Sequence, residues 1–157
     1  MAAPFNDIGI NPFRSDRRTF VGCVAGTGVS TITYGNVVIG SASTNARDVA
    51  LPAGAGATQV RGVVSDQGDP NVLGRFAVGD EFAACNGGTA EVYLDAGQIA
   101  TKDQPCITGT TAGTVKPVAA EAAPYDVLGT FAQTLDNSAG PTPVLVSVHV
   151  NIYRRFA

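Results

Sequence analysis

Pro143-Val-Leu-Val-Ser-Val-His-Val-Asn-Ile-Tyr153 places Val144, Val146, Val148, Val150 and Ile152 at every second position. Side chains alternate faces along a strand, so this period predicts one long half-buried strand with an apolar face of β-branched residues. Leu145, Ser147, His149, Asn151 and Tyr153 form the opposite, mixed face, which suits water or a neighbouring subunit. Roughly ten residues is about twice the usual strand length, and a face of that kind needs partner strands to cover it. The segment is therefore expected to pair on both edges as the central staple of an all-β domain.

Working outward, the composition agrees. The chain has 157 residues, with 19 Gly, 9 Pro, no Trp and 15% charged residues, which favours short strands joined by tight turns. At this length one core can form without disulfides or metal, and 45% hydrophobic residues exclude a disordered chain. We expect an all-β fold, a small β-barrel or β-sandwich of about eight to ten short strands, with an extended N-terminal arm at 1–19 and a single domain at 20–157.

The arm, MAAPFNDIGINPFRSDRRT, shows neither a helical nor a strand period. It carries the large apolar residues Phe5, Ile8, Ile10 and Phe13 and the cluster Arg14, Arg17 and Arg18, and Arg154 and Arg155 lie at the other end of the chain. Apolar anchors left in water are unfavourable, so these nine residues are the candidates for contact with a partner or a neighbouring copy. Between the basic ends, residues 19–153 hold five basic against eleven acidic side chains. Lys102 and Lys116 stand alone in sequence, so no basic stripe for nucleic acid is expected. No run approaches membrane-spanning length, the start lacks the pattern of a secretion signal, and a reducing cytoplasm is the expected site of synthesis.

The turn signals divide the rest. Residues 20–25 and 29–39 read as a first strand pair around Gly26-Thr27-Gly28, with a bulge or kink at Gly35-Asn36. Residues 41–57 read as a loop with little to bury. A strand at 59–65 follows. Asn86-Gly87-Gly88 is the strongest hairpin signal, predicting strands at 81–85 and 89–94. Further strands are expected at 105–108, 114–119 and 126–135, the last with Val127, Gly129, Phe131, Gln133 and Leu135 on one face. A helical turn is expected at 119–123.

Chemistry-bearing patterns are sparse. Cys23, Cys85 and Cys106 lack CxxC spacing and read as buried free thiols, and His149 sits in the middle of a strand rather than at a loop mouth. Asp66, Asp69, Asp80, Asp95, Asp103 and Asp136 all fall at turns, where a short carboxylate accepts bonds from backbone N–H groups. Neither Gly26-Thr-Gly28 nor the 109–113 loop has the residues of a phosphate cradle. No enzyme activity, metal or cofactor is expected.

Gly62-Val63, Phe76-Ala-Val-Gly-Asp80, Gly88-Thr-Ala-Glu-Val-Tyr-Leu-Asp-Ala-Gly97, Leu128-Gly129 and the segment 144–150 together resemble tailed-phage capsid decoration, or cement, proteins, over roughly residues 60–152. That resemblance implies a structural virion protein, assembled in the host cytoplasm, that binds the major capsid protein on the outside of a phage head as a homo-oligomer, a dimer or trimer. It implies no catalytic residue, no cofactor, no nucleic acid and no membrane. Two other readings stay open: a carbohydrate- or surface-binding β-sandwich of a phage fibre or cell surface, and a hydrolase whose site the sequence does not reveal. The long arm and the Arg154-Arg155 end depart from many short decoration proteins.

Overall fold

The computed structural model describes residues 18–26, 32–41, 45–68 and 75–156, with backbone alone at 66–68. Of the expected arm only Arg18 and Thr19 fall in this range; Phe5, Ile8, Ile10, Phe13, Arg14 and Arg17 lie outside the described residues. The described chain is all-β, as expected, and contains no helix. Its strands are β1 (Thr19–Ala25), β2 (Ile32–Thr33), β3 (Val37–Gly40), β4 (Asp48–Ala50), β5 (Val60–Gly68), β6 (Arg75–Phe76) and β7 (Glu81–Leu94). They continue with β8 (Ile99–Ala100), β9 (Pro105–Thr108), β10 (Val115–Pro117), β11 (Tyr125–Phe131), β12 (Leu135–Asp136) and β13 (Val144–Arg155).

Nine of these make one sheet in the order β1-β4-β3-β5-β7-β10-β9-β11-β13, and additional β1–β7 and β7–β13 pairings carry the ladder round through β7 twice. The two-residue strands β2 and β6 form one small ribbon, β8 and β12 another.

β7 is the common wall. Its first half pairs with β1, Thr19 to Val24 against Gly87 to Glu81, and with β5, where Val63 faces Cys85 and Val64 faces Ala84. Its second half pairs with β13 from Val144–Leu94 to Asn151–Gly87. Successive strand residues point to opposite faces, and here both faces are covered. Val37, Val63 and Cys85 enter one core with Val92, Leu94, Leu128, Phe131, Val146 and Val148. Their chain neighbours Val38, Val64 and Ala84 enter a second core with Ile32, Val49, Phe76 and Phe82. Strands buried on two sides read as apolar doublets rather than alternation, which explains Val37-Val38 and Val63-Val64. Phe76 anchors the second core, its ring centroid 4.8 Å from that of Phe82 and 5.8 Å from that of Tyr34.

β13 follows the alternation its sequence predicts: Val146, Val148 and Val150 are buried, while Leu145, His149, Asn151 and Tyr153 are exposed. It is paired on both edges, to β7 and to β11. At the β11 edge the register shifts between Val127 and Gly129. A Cβ at Gly129 would collide with the His149 carbonyl oxygen, so the close approach there requires glycine.

Several expectations are corrected. The hairpin at Asn86-Gly87-Gly88 does not form, and residues 81–94 are one strand. The type I′ turn that Asn-Gly favours needs positive φ at both residues, yet of Asn86, Gly87 and Gly88 only Gly88 has it, at 91°. Folding 81–85 onto 89–94 would remove the separate partners that each half already has in β1, β5 and β13. The pair expected at 20–25 and 29–39 is replaced by β1 bonded to β4 and β7, because the chain turns between β2 and β3. Asn36 Oδ1 there accepts bonds from the Thr33 amide (2.8 Å) and hydroxyl (3.0 Å). The polar stretch 41–57 contains β4, whose Val49 is buried between β1 and β3. The strand expected over 126–135 ends at Phe131 with both faces buried, Gln133 is exposed, and Leu135 belongs to β12. Residues 119–123 form no helical turn.

Val148 is fully buried between β7 and β11, so Val148→Asp places an unpaired charge in the core and is expected to abolish soluble, cooperatively folding protein. His149→Ala, on the exposed face, is expected to change stability by no more than about 0.5 kcal/mol. Chemical denaturation of the two variants checks both, and a folded Val148→Asp protein would invalidate this face assignment.

Candidate partner-binding surface

A concavity of about 380 Å³ opens where β5, β7 and β13 meet the turn after β2. Its walls are mainly apolar: Val64 from β5, Ala90 and Tyr93 from β7, Leu145 from β13, and Tyr34 from the turn. Glu91 and Arg18 are its charged members, both exposed. Register explains part of this grouping, because Leu145 lies directly opposite Tyr93 across the β7–β13 ladder. The turn supplies the rest. Gly35 has φ 79°, its amide donates to the Val64 carbonyl (3.0 Å) and its carbonyl accepts from the Tyr93 amide (3.1 Å). A Cβ at Gly35 would stand 3.1 Å from both the Leu145 and Tyr93 side chains, so a bare backbone lets these walls converge.

Two buried carboxylates hold the frame around this surface. Asp95 follows β7 and is 1% exposed. It accepts bonds from the amides of Thr110 (2.5 Å) and Thr111 (3.2 Å) and from the hydroxyls of Thr110 (2.8 Å) and Thr114 (2.5 Å). Asn137 Nδ2 donates both to the Asp95 carbonyl and to the Thr142 carbonyl, at 3.1 Å each. The end of β7, the 109–114 loop and the approach to β13 are thereby tied together. Burial alone would raise the Asp95 pKa, but the bonds from Thr114, Thr110 and Thr111 hold it below the ordinary carboxylate value.

Asp126 plays the same part at the far end of β13. Arg154 Nε donates to Asp126 Oδ1 (2.7 Å), Arg154 Nη2 reaches Oδ2 (3.3 Å), and the Val60 amide donates to Oδ2 (3.0 Å). Here too burial pushes the pKa up, while Arg154 and the Val60 and Gln59 backbone bring it below the usual value. Asp80 and Asp136 cap turns as expected, accepting from the amides of Ala77 (2.7 Å) and Ser138 (2.8 Å).

The candidate residues are thus dispersed. Arg18 lines the concavity, with its guanidinium 5.7 Å from the centre of the exposed Phe20 ring. Arg154 is engaged within its own chain by Asp126, whereas Arg155 is exposed in β13 beside Tyr125. Lys116, which stands alone in sequence, forms an ion pair with Glu121. Past the ladder with β7, Tyr153 (47% exposed) and Phe156 (73% exposed) extend the apolar display that Leu145 (43% exposed) begins. Sequence reasoning missed Tyr34, Tyr93 and Glu91, because Tyr34 lies in the turn after β2 and Glu91 and Tyr93 on β7, with no local pattern to join the two.

The thiols of Cys23, Cys85 and Cys106 are free and buried, and burial pushes Cys106 up to about 12. His149 Nδ1 shares a 3.0 Å hydrogen bond with the Thr89 hydroxyl across the ladder. Among the described residues no three His, Cys, Asp or Glu side chains group as a metal site, and no helix is long and apolar enough to cross a membrane. Comparison of the sequence with protein-family models gives no match, and comparison with curated proteins gives none.

Both depressed carboxylates contribute stability that is complete above the unfolded carboxylate pKa of about 4 and is lost as pH falls through their lower folded values. Acidification from about pH 5 towards pH 2 is therefore expected to lower the melting temperature, and Asp95→Asn is expected to flatten that dependence while lowering stability at neutral pH. Thermal melts across this range check it; an unchanged acid slope in Asp95→Asn would contradict the role of its carboxylate. Gly35→Ala is expected to lose about 1–2 kcal/mol, because the new Cβ meets both backbone strain and the Leu145–Tyr93 wall. In a chain of this size that is a fall in melting temperature of roughly 2–4 °C per kcal/mol.

Proposed function

We propose that this chain is a structural virion protein, a decoration or cement protein that binds the major capsid protein on the outside of a phage head and works as a dimer or trimer. The observation that carries this reading is the outward face of β13. That strand is paired on both edges, and it and the residue after it present Leu145, Tyr153 and Phe156 to the surroundings. Leu145 is held on the β7 edge, opposite Tyr93, and Tyr153 on the β11 edge, opposite Val127, so both side chains stand on paired backbone and bind without the entropy loss of ordering a loop.

The basic ends support the same reading. Guanidinium groups form planar forks that suit carboxylates, and Arg155 and Arg18 are exposed at the margins of an acidic body. Arg14 and Arg17 extend that charge into the arm, beside Phe5, Ile8 and Ile10. Exposed ion pairs contribute about 0–1 kcal/mol each, against about 1.5–3 kcal/mol for a buried aromatic side chain, so apolar contact is the larger contribution to attachment.

A second reading, a carbohydrate-binding module, has one observation in its favour. Tyr34 and Tyr93 line the same concavity, and sugar sites use aromatic walls. Tyr34 is already packed edge-on against Phe76, which leaves Tyr93 as the main platform and makes this the weaker reading.

Purified virions decide between them. We expect the protein on the head exterior in hundreds of copies, retained in part at molar salt, since apolar burial is not screened. Phe5→Ala/Ile8→Ala is expected to release more protein than Arg17→Ala/Arg18→Ala. Absence from virions together with saturable glycan binding would favour the carbohydrate module. Complete release of the wild type by salt, with the Phe5/Ile8 variant still bound, would overturn the apolar anchor.

A further inference from the structure

We propose that Asn86 is a latent site of spontaneous deamidation, held shut by Thr19, the first residue of β1. Asn86 is the one asparagine in the chain that a glycine follows. In such a pair the Gly87 amide nitrogen can attack the side-chain carbonyl carbon of Asn86, because no Cβ on the second residue crowds the approach. The new N–Cγ bond closes a cyclic succinimide, and the side-chain nitrogen leaves as ammonia, carrying the Gly87 amide proton. Water then opens the ring at either carbonyl and leaves Asp or isoAsp. Water is the one co-reactant, and the chemistry is independent of any partner the chain binds.

The fold withholds the geometry that this attack needs. Reacting atoms must come within about 3–3.5 Å and in line, whereas β7 runs straight through the pair as one extended strand. Phe20 lies opposite Cys85 and Thr19 opposite Gly87, so the exposed Asn86 is the unpaired residue of a bulge. Its carboxamide is held all the same, because the Thr19 hydroxyl donates to Asn86 Oδ1 (2.8 Å). Gly87 is fixed from other directions as well: it lies opposite Asn151 of β13, and its carbonyl accepts from the Cys85 thiol (3.2 Å). A Cβ at Gly87 would collide with the Thr19 hydroxyl. The bare glycine that makes the pair reactive therefore also lets Thr19 come close enough to restrain it.

Thr19 is the place where this restraint gives way first. The β1–β7 ladder starts at Thr19, which is exposed, and strand ends open at lower free energy than interiors. Its release frees the carboxamide and one side of Gly87 together. Conversion to isoAsp then routes the main chain through the side-chain carbon and adds a methylene between residues 86 and 87. At that point β7 passes from β1 and β5 to β13, so the added length prevents both sets of partners from keeping register. Time spent open is recorded covalently, and a chain converted to isoAsp while unfolded loses its native pairing.

Peptide mapping by mass spectrometry at mildly alkaline pH, with Asp and isoAsp resolved, follows the conversion. We expect rapid conversion of the chain in denaturant and a rate more than about tenfold lower in the folded wild type. Thr19→Ala is expected to raise the folded-state rate several-fold and to leave the rate in denaturant unchanged, while Thr19→Ser, which keeps the hydroxyl, retains the wild-type protection. Val115→Ala truncates a fully buried side chain on β10, which does not pair with β1, and is expected to raise the rate less although it lowers global stability. After prolonged denaturation the wild type is expected to lose refolding yield in step with isoAsp. Asn86→Gln, whose longer side chain closes the ring far more slowly, is expected to keep it. Equal rates in the folded and denatured chain overturn the proposal, as does a Thr19→Ala rate equal to that of the wild type. Greater acceleration in Val115→Ala than in Thr19→Ala places the gate at global unfolding and overturns it equally. Native refolding of isoAsp-bearing chains overturns the loss of register.

Discussion

The backbone of β7 is the constraint on which the rest of this structure depends. A strand of fourteen residues exposes a long row of amides and carbonyls on each edge, and a buried group left unpaired costs free energy comparable to a lost hydrogen bond. No single partner strand covers it. β1 and β5 flank its first half, β13 runs along its second, and β10 joins at Leu94. Covering both edges brings strands distant in sequence to one wall, and the two cores follow from the two faces of that wall. Cys85 and Ala84 are neighbours in the chain but belong to different cores.

Polar groups complete what strand pairing leaves open. Asp95 and Asp126 both occupy sites that would favour the neutral acid, and each is held in the charged form by converging donors. The donors come from different parts of the chain: a threonine-rich loop for Asp95, an adjacent strand and the start of β5 for Asp126. Each carboxylate therefore acts as a clasp between segments that are far apart in sequence. Arg154 serves this internal clasp, and the charge at that end of the chain left for an outside partner is Arg155.

Surface and frame are linked through β13. The strand buries Val146, Val148 and Val150 inward, and the same alternation turns Leu145 and Tyr153 outward, so the surface proposed for binding is set by the same register as the core beneath it. Leu145 has a second role in the wall of the concavity beside Tyr93, where the bare backbone of Gly35 allows close approach.

The all-β class, β13 and its two-edge pairing, the turns at Asp80, Asp95 and Asp136, and the buried free thiols were all legible in the sequence. They rest on local physics: a period of two, short carboxylates beside free amides, and apolar side chains seeking burial. The fate of Asn86-Gly87 was not local. Its turn preference was real, but partners on both sides of β7 outweigh one favourable turn, and no nearby residue announces them. Val49 likewise looks incidental in a polar stretch until β1 and β3 close over it. The concavity was invisible for the same reason, since Tyr34, Val64, Tyr93 and Leu145 meet only through long-range register. Local pattern decided which residues wanted burial; tertiary pairing alone decided which of them met, because strand partners are chosen by closing edges across the whole chain.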